Sequence, residues 1–466
     1  MKKIIFPIIS LLILAVVSLT GFNSCKRKPK KVENLMDSIP YKKTMPEWAR
    51  NANIYEVNIR QYTPEGTFKA FQTQLPRLKK MGVDILWIMP INPIGVKNRK
   101  GSLGSYYSIS DYEKVNPEYG TEADFKNLVS EAHKLGMHVI IDWMANHTSW
   151  DNVWIKPHSD WYTKDSLGNI IIPKGTDWHD TADLNYDNPE LRKAMIAAMS
   201  YWVKNDDIDG FRCDVAGMVS ISFWIHARKA IDELKPNCFF LAEAGDPLQH
   251  LAFDMTYDWP LKDIINEIPK GKKNVSDLIK HFEEESKKFK PEDMRMHFLT
   301  NHDLNTWDGS EYERLGNAPV DAFTVLTYML PGMPLTYSGQ EEPIKNRIKF
   351  FDKDTIRFKN YARQGLLTKL NQLKFGNKAL WGTSYNGSFM GLRNTSPKNV
   401  LSFIRFNKKT QVLAVFNFSP KEQIFKITDE IKGDFVNYLG EKITVQTNAM
   451  VKLKPWDYSV EISIPQ

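Results

Sequence analysis

Short apolar runs and longer mixed stretches alternate through most of the chain. Eight runs carry the signature of strands: 53–63 (NIYEVNIRQYT), 85–90 (ILWIMP), 138–143 (HVIIDW), 210–215 (GFRCDV), 239–244 (FFLAEA), 253–258 (FDMTYD), 296–303 (MHFLTNHD) and 334–341 (PLTYSGQE). Helical patterns lie between them. In EADFKNLVSEAHKLG, Phe125, Leu128, Val129, Ala132 and Leu135 recur at helical spacing. Thr121 with Asp124 gives that helix a capping-box start, and Gly136 a stop. PELRKAMIAAMSYWVKN, 189–205, predicts another helix with Pro in its first turn. Strands alternating with helices imply parallel crossover units. Eight such units predict an α/β protein with a closed (β/α)8, or TIM, barrel, whose chemistry gathers at the C-terminal ends of the strands.

Two regions break the alternation. Residues 144–188 lack helical periodicity and are rich in Trp, Asp, Asn and Gly, which predicts a short, lid-like excursion after the third strand. Trp143, Trp150, Trp154 and Trp161 fit either sugar-stacking platforms there or core packing. After a helix near 361–374, the pattern turns to short β-like runs: NVLSFIRFN, QVLAVFNFS, KEQIFKIT and YSVEISI. The expected layout is a barrel over 45–376 and an antiparallel β domain over 377–466.

The first residues change the picture of where the protein works. Lys2 and Lys3 precede an apolar run from Ile4 to Phe22, followed by Asn23, Ser24 and Cys25. This pattern resembles a bacterial lipoprotein signal over 1–24, with Cys25 as the lipidated residue and 25–44 as a basic tether. A plain signal peptide or an uncleaved anchor also fits, and Phe22 stands where an aliphatic residue is usual. The expected location is periplasm-facing or the outer membrane, with membrane contact through the lipid on Cys25.

The formal net charge of +7 resides in this segment. Residues 1–43 hold nine Lys and Arg against two acids, leaving 53 basic and 53 acidic side chains in the rest. A neutral body gives no electrostatic case for nucleic acid. Cys213 and Cys238 are too few for a disulfide framework, and no CxxC or His/Cys spacing suggests structural zinc.

Polar residues interrupt the strands at one end. The third strand ends in Asp142, followed by Asn146 and His147; the fourth carries Arg212 and Asp214; the fifth ends at Glu243; the seventh runs into Asn301, His302 and Asp303. A single Asp at a strand end is ordinarily a turn former or helix cap. Four interruptions at the same end of separate strands converge on one pocket if the barrel closes. The set contains carboxylates, histidines and an arginine, without a phosphate loop or a Ser/His/Asp order. A carboxylate nucleophile beside a carboxylic acid suits retaining glycosidic cleavage.

IIDWMANH, GFRCDV, FFLAEA and FLTNHD, in this order and spacing, resemble the four conserved regions of the α-amylase superfamily, glycoside hydrolase family 13. GVDILWIMPI, YYSISDY, ADLNYDNPE and PGMPLTYSGQE support the likeness, which runs from Asn53 into the C-terminal β domain. The resemblance implies Asp214 as nucleophile, Glu243 as general acid/base and Asp303 as transition-state stabiliser. It implies a substrate-binding set of Tyr107, Asp142, His147, Arg212 and His302, with Tyr107 stacking on the sugar, Asp142 orienting carboxylates and Arg212 as charge partner of Asp214. It implies no cofactor for the chemistry. Asn146 matches a calcium ligand of the family or a plain turn residue, but Gly217 and Met218 replace a Lys-His pair that helps hold calcium, so a structural calcium is in doubt. Ser108 stands where exo-acting glucosidases often carry Asp.

The expectation is a monomeric retaining hydrolase of α-1,4-linked glucans, α-amylase first. α-Glucosidase, cyclomaltodextrinase or neopullulanase-type hydrolase, and transferase or trehalose synthase-type isomerase are family alternatives. A non-catalytic glucan-binding protein is the remote one, and such proteins lose the carboxylates retained here.

Overall fold

The computed structural model describes residues 43–382, 387–442 and 445–464. The signal, Cys25 and nearly all of the basic tether lie outside the described residues. Eight parallel strands close into a barrel: β1 (Ile54–Val57), β2 (Ile85–Ile88), β3 (His138–Trp143), β4 (Gly210–Cys213), β5 (Phe239–Ala242), β6 (Met255–Tyr257), β7 (Met294–His297) and β8 (Met333–Tyr337). Neighbours pair in chain order and β8 closes on β1, with Ile54 opposite Leu335 and Ile85. The expected barrel is therefore present.

Alternation within each strand decides what faces inward. Ile85 and Trp87, Met294 and Met296, and Met333 and Leu335 fill the barrel interior, while the residues between them point to the surrounding helices. Gly210 opens β4 at φ 150°, and a Cβ there would stand 1.9 Å from the Phe239 carbonyl oxygen. Only glycine allows β4 to approach β5 this closely.

Capping chemistry ends the elements where the sequence suggested. Thr121 and Asp124 form a reciprocal capping box on helix Glu122–Lys134, and Gly136 follows it with φ 69°. Asn188 caps helix Pro189–Asp206 by accepting the Glu190 N–H.

The third strand has the expected bounds, 138–143; the other seven expected strands are longer than the observed ones, and the corrections fall where function concentrates. The run 53–63 is a strand only to Val57; Asn58 then accepts the Gln61 N–H and starts a helical turn, Ile59–Tyr62. The run 296–303 is a strand from Met294 to His297, so His302 and Asp303 stand on the loop above it. β4 ends at Cys213, because Val215 takes a left-handed conformation at φ 36°.

The excursion after β3 is anchored by a two-stranded pair, His147–Ser149 with Thr181–Asp183. Trp143, Trp154 and Trp161 pack against other aromatic rings, and neither they nor Trp150 line the cleft described below. Trp143 is fully buried, Trp154 stacks on Tyr112 at 4.7 Å, and Trp161 meets Trp154 edge-on at 5.3 Å. After helix Gln364–Gly376, strands Ser388–Gly391, Val400–Phe406, Gln411–Asn417, Tyr458–Ser463 and Phe435–Gly440 form an antiparallel sheet in that spatial order. One face packs over the pair Gln423–Phe425 and Val451–Leu453, around Ile404, Leu413 and Val415. Phe418 stacks on Phe323 of the barrel's last helical layer at 4.4 Å, joining the two parts.

Candidate active site

A cleft of about 500 Å³ opens at the C-terminal end of the barrel. It is lined by Asp214, Glu243 and Asp303, together with Tyr107, His147 and His302. Residues from five separate chain segments thus meet in one place, as barrel closure requires.

Asp142 and Arg212 do not line the cleft. Their side chains have no exposure, which places them behind its wall rather than against a substrate. Arg212 organises the site from there. One terminal nitrogen, Nη1, donates to Asp142 at 2.9 Å and to Asp214 at 2.8 Å. The other, Nη2, lies 2.9 Å from Glu243 Oε2. Nε donates to the Tyr257 hydroxyl at 3.1 Å, and the guanidinium carbon sits 4.9 Å from the Trp87 ring centre. A fully buried cation is tolerated because three carboxylates and aromatic faces surround it.

The two carboxyls above Arg212 differ in environment. Burial first, and then the negative charge of Glu243, pushes Asp214 up, while Arg212 pulls it down. Burial also pushes Glu243 up, against the pull of Arg212. Two such groups titrate as a pair. Arg212 makes a directed hydrogen bond to Asp214 but only an ion contact to Glu243. The directed bond favours the charged form at Asp214 and the protonated form at Glu243. The Val215 N–H donates to Glu243 Oε2 at 2.9 Å, so Oε1 is the oxygen open to carry that proton.

The opposite wall is a chain of charge. Glu56, buried on β1, lies 2.5 Å from His302 Nδ1. His302 Nε2 lies 2.7 Å from the Tyr107 hydroxyl and 3.2 Å from Asp303. Burial opposes a charge on His302, but Asp303 and Glu56 outweigh it and hold the imidazole well above its ordinary value. His302 in turn overcomes the effect of burial on Asp303 and keeps that carboxyl low. The Tyr107 hydroxyl also donates to Asp142 at 3.0 Å, and its ring stacks parallel to Phe350. His147, 2% exposed, is pushed down to about 4 by burial and stands neutral beside Trp178.

Several contributors carry no sequence signal. Glu56 sits inside an apolar strand, where a lone Glu is indistinguishable from a rim residue. Trp178, Trp307 and Phe350 bring aromatic faces to the cleft from the excursion and from loops after β7 and β8. Lys100 pairs with Asp180 at 3.1 Å in the same wall. Ser108 is buried and donates to the Asp180 carbonyl at 2.8 Å, so it ties the excursion down. Met218 is 45% exposed and, like Gly217, does not line the cleft.

Asn146 does not present a calcium cage. Its side-chain nitrogen lies 3.4 Å from His147 Nδ1, and its backbone carbonyl accepts the Leu184 N–H. Calcium takes six to eight oxygens, carboxylates prominent among them. Among the described residues, no cluster of His, Cys, Asp or Glu ligand atoms gathers at Asn146. The residues do not fit the ion, and no step below passes through it.

Comparison with known proteins agrees with this geometry. Residues 41–370 match the family model described as alpha amylase, catalytic domain. Alpha-amylase 3 of Dictyoglomus thermophilum is 24% identical, over 90% of this chain and 94% of its own length. The crystal structure of an alpha-amylase from Lactobacillus plantarum superposes with a TM-score of 0.79 at 30% identity, covering 90% of this chain and all of that one. A noncanonic maltogenic alpha-amylase from Thermotoga neapolitana gives 0.77 at 30% identity, over 89% and 97%.

Proposed function

The chain belongs to the alpha-amylase family of glycosidases, and on that premise we propose that it is a retaining hydrolase of α-1,4-linked glucans. The observation that carries the retaining reading is the grip of one buried guanidinium on both Asp214 and Glu243. Retaining cleavage needs two carboxyls roughly 5–5.5 Å apart, one charged and one protonated. A shared, rigid fork fixes a short separation and divides the roles.

In this reading Asp214 attacks the anomeric carbon from the face opposite the leaving group. Glu243 gives its proton to the glycosidic oxygen. The glycosyl group is then esterified to Asp214, and Glu243, now a carboxylate, takes a proton from water as water attacks the same carbon. Asp303, held ionised by His302, favours the positive charge that develops on the sugar ring. Tyr107 and Phe350 offer parallel aromatic faces for stacking, and His147 and His302 face the sugar hydroxyls. Asp142 and Arg212 act through the carboxyls they position.

The test is a product profile on soluble starch, maltooligosaccharides, pullulan, cyclodextrin and trehalose, with proton NMR of the first-formed anomer. The reading expects shorter products from starch and maltooligosaccharides, released as the α-anomer. Release of the β-anomer, or no reducing sugar from any glucan, overturns it. Products longer than the substrate mark transfer to a sugar rather than to water.

The same reading covers location. The Lys2-Lys3 start, the apolar run and Cys25 support a lipoprotein anchored through Cys25, periplasm-facing or in the outer membrane. Metabolic labelling with an alkyne fatty acid tests it: Cys25→Ala should lose both the label and membrane association. Retention of both contradicts the anchor.

A further inference from the structure

A second group of metal-binding residue types surrounds a separate cavity of about 320 Å³, which shares no lining residue with the catalytic cleft. It forms where the outer wall of β6 and β7 meets helix Val275–Lys288. Met294 and Met296 of β7 point into the barrel core, so Arg295 and His297 point out toward this helix.

Asp258 follows β6 directly and accepts the Leu261 N–H through Oδ1, which fixes its carboxylate. His281 Nε2 lies 3.1 Å from that carboxylate. Glu285 is one helical turn beyond His281 and shares its face. Ligand atoms of Asp258, His281 and Glu285 all lie within 4.8 Å of one another.

His297 supplies the independent observation. It is 4% exposed, and its Nε2 lies 3.0 Å from the Pro331 carbonyl, to which it donates. In the neutral ring Nδ1 therefore carries a lone pair. That nitrogen has no hydrogen-bond partner, yet it faces Asp258 Oδ2 at 3.4 Å. A lone pair aimed at a carboxylate is repulsive unless a cation, a proton or a metal ion, stands between them. Arg295 is the neighbouring fixed charge. Its Nε holds Glu285 at 2.8 Å, its Nη1 donates to Thr256 at 2.5 Å, and its Nη2 stays 3.8 Å from Asp258. Lys290 also lines the cavity. The two carboxylates of Asp258 and Glu285 balance Arg295 and Lys290.

We propose that Asp258, His281 and Glu285 bind one divalent transition-metal ion of the zinc class, with His297 Nδ1 in the fourth position. Mixed imidazole and carboxylate ligands favour zinc, cobalt or nickel over calcium or magnesium. The ion ties helix Val275–Lys288 to the barrel wall. It also fixes the cavity edge where Phe282 meets Phe389 of the C-terminal sheet at 5.8 Å.

The experiment uses the full chain, stripped with a chelator and titrated with Zn²⁺ by calorimetry and with Co²⁺ by visible absorption. The expected result is one equivalent per chain, d–d bands of a four- or five-coordinate Co²⁺ ion, and a rise in unfolding temperature with Zn²⁺. His281→Gln should weaken binding by about a hundredfold or more and remove the thermal shift, and Glu285→Gln by about tenfold. Asp214→Asn, in the catalytic cleft, should leave Zn²⁺ affinity unchanged. Circular dichroism establishes that each variant is folded, and Glu285, 17% exposed on the helix face, gives a variant outside the hydrophobic core. The proposal fails if no stoichiometric binding occurs. It fails equally if folded His281→Gln and Glu285→Gln both bind as the unaltered chain does, or if only Asp214→Asn loses the ion.

Discussion

Arg212 Nη2 lies 2.9 Å from Glu243 Oε2, while Nη1 of the same guanidinium donates to Asp214 at 2.8 Å. One side chain with no exposure therefore contacts both carboxyls of the proposed catalytic pair. Arg212→Met should leave Asp142, Asp214 and Glu243 crowded without a cation. Removing one partner of a buried ion pair costs about 3–5 kcal/mol. Denaturant unfolding should show a loss of that size together with near-complete loss of activity. Arg212→Lys keeps the charge but not the fork, so it should recover stability more than turnover.

Asp214→Asn and Glu243→Gln act on chemistry with little change in shape. General acid/base assistance is worth roughly 10²–10⁴-fold, so Glu243→Gln should lower kcat/KM by at least that much. Asp214→Asn should lower it further, because no covalent intermediate can form. Both variants should unfold within a few degrees of the unaltered protein. An aryl glycoside with a good leaving group should restore the first step in Glu243→Gln and not in Asp214→Asn.

Glu56 is predicted to matter although it touches no substrate. Glu56→Gln removes the carboxylate 2.5 Å from His302 Nδ1 and should let the imidazole lose its proton at lower pH. Deprotonation of His302 then raises Asp303, whose low value depends on that charge. The expected signature is a basic limb of the kcat/KM profile moved to lower pH, with kcat reduced more than KM is raised. A uniform loss of activity at every pH would point to a structural role alone.

Acid sensitivity of the fold follows from buried neutral histidines. His147 is pushed down to about 4, against an ordinary value of 6.5. Below 6.5 the unfolded chain binds a proton that the folded chain refuses. Stability is thus complete above 6.5 and lost as pH falls toward 4, by on the order of 3 kcal/mol. His250, pushed down to about 3, adds the same dependence through a lower limit. Urea unfolding between pH 7 and 4 should flatten in part in His147→Gln and further in the double variant with His250→Gln.

Trp307, 52% exposed at the cleft rim, presents a face to the cleft, packs on Phe350 at 5.3 Å and hydrogen-bonds to Asp303. Trp307→Ala should raise KM for maltooligosaccharides about tenfold, equivalent to ~1.4 kcal/mol, with a smaller fall in kcat from the lost hydrogen bond to Asp303. A fall in kcat at constant KM would move Trp307 from binding to catalysis.

The barrel was legible because its signal repeats: eight apolar runs with helical patterns between them leave few other folds. The capping box at Thr121 and Asp124 was legible because it is local. The ends of β4 and β7 were not, since Val215 turns left-handed and the residues after His297 leave the sheet only through tertiary contacts. Asp214, Glu243 and Asp303 stood out as polar breaks in apolar runs, and closure brings them to one cleft. Glu56 and the aromatics Trp178 and Phe350 gave no such break, because their partners lie far away in the chain. The same holds for the burial of Arg212. An Arg two residues before an Asp announces an ion pair, but its contact with Glu243 arises from the pairing of β4 with β5.

The account rests on Asp214 as a covalent nucleophile, and trapping that intermediate tests it most directly. A 5-fluoro-α-glucosyl fluoride, which forms the glycosyl ester faster than water can break it, should add one sugar mass per chain. Peptide mapping should place the sugar on Asp214. The Glu243→Gln variant should still trap it, because fluoride leaves without a proton from Glu243, and Asp214→Asn should not trap it at all. Turnover of the fluoride without any adduct, or a sugar attached to another residue, would contradict the assignment.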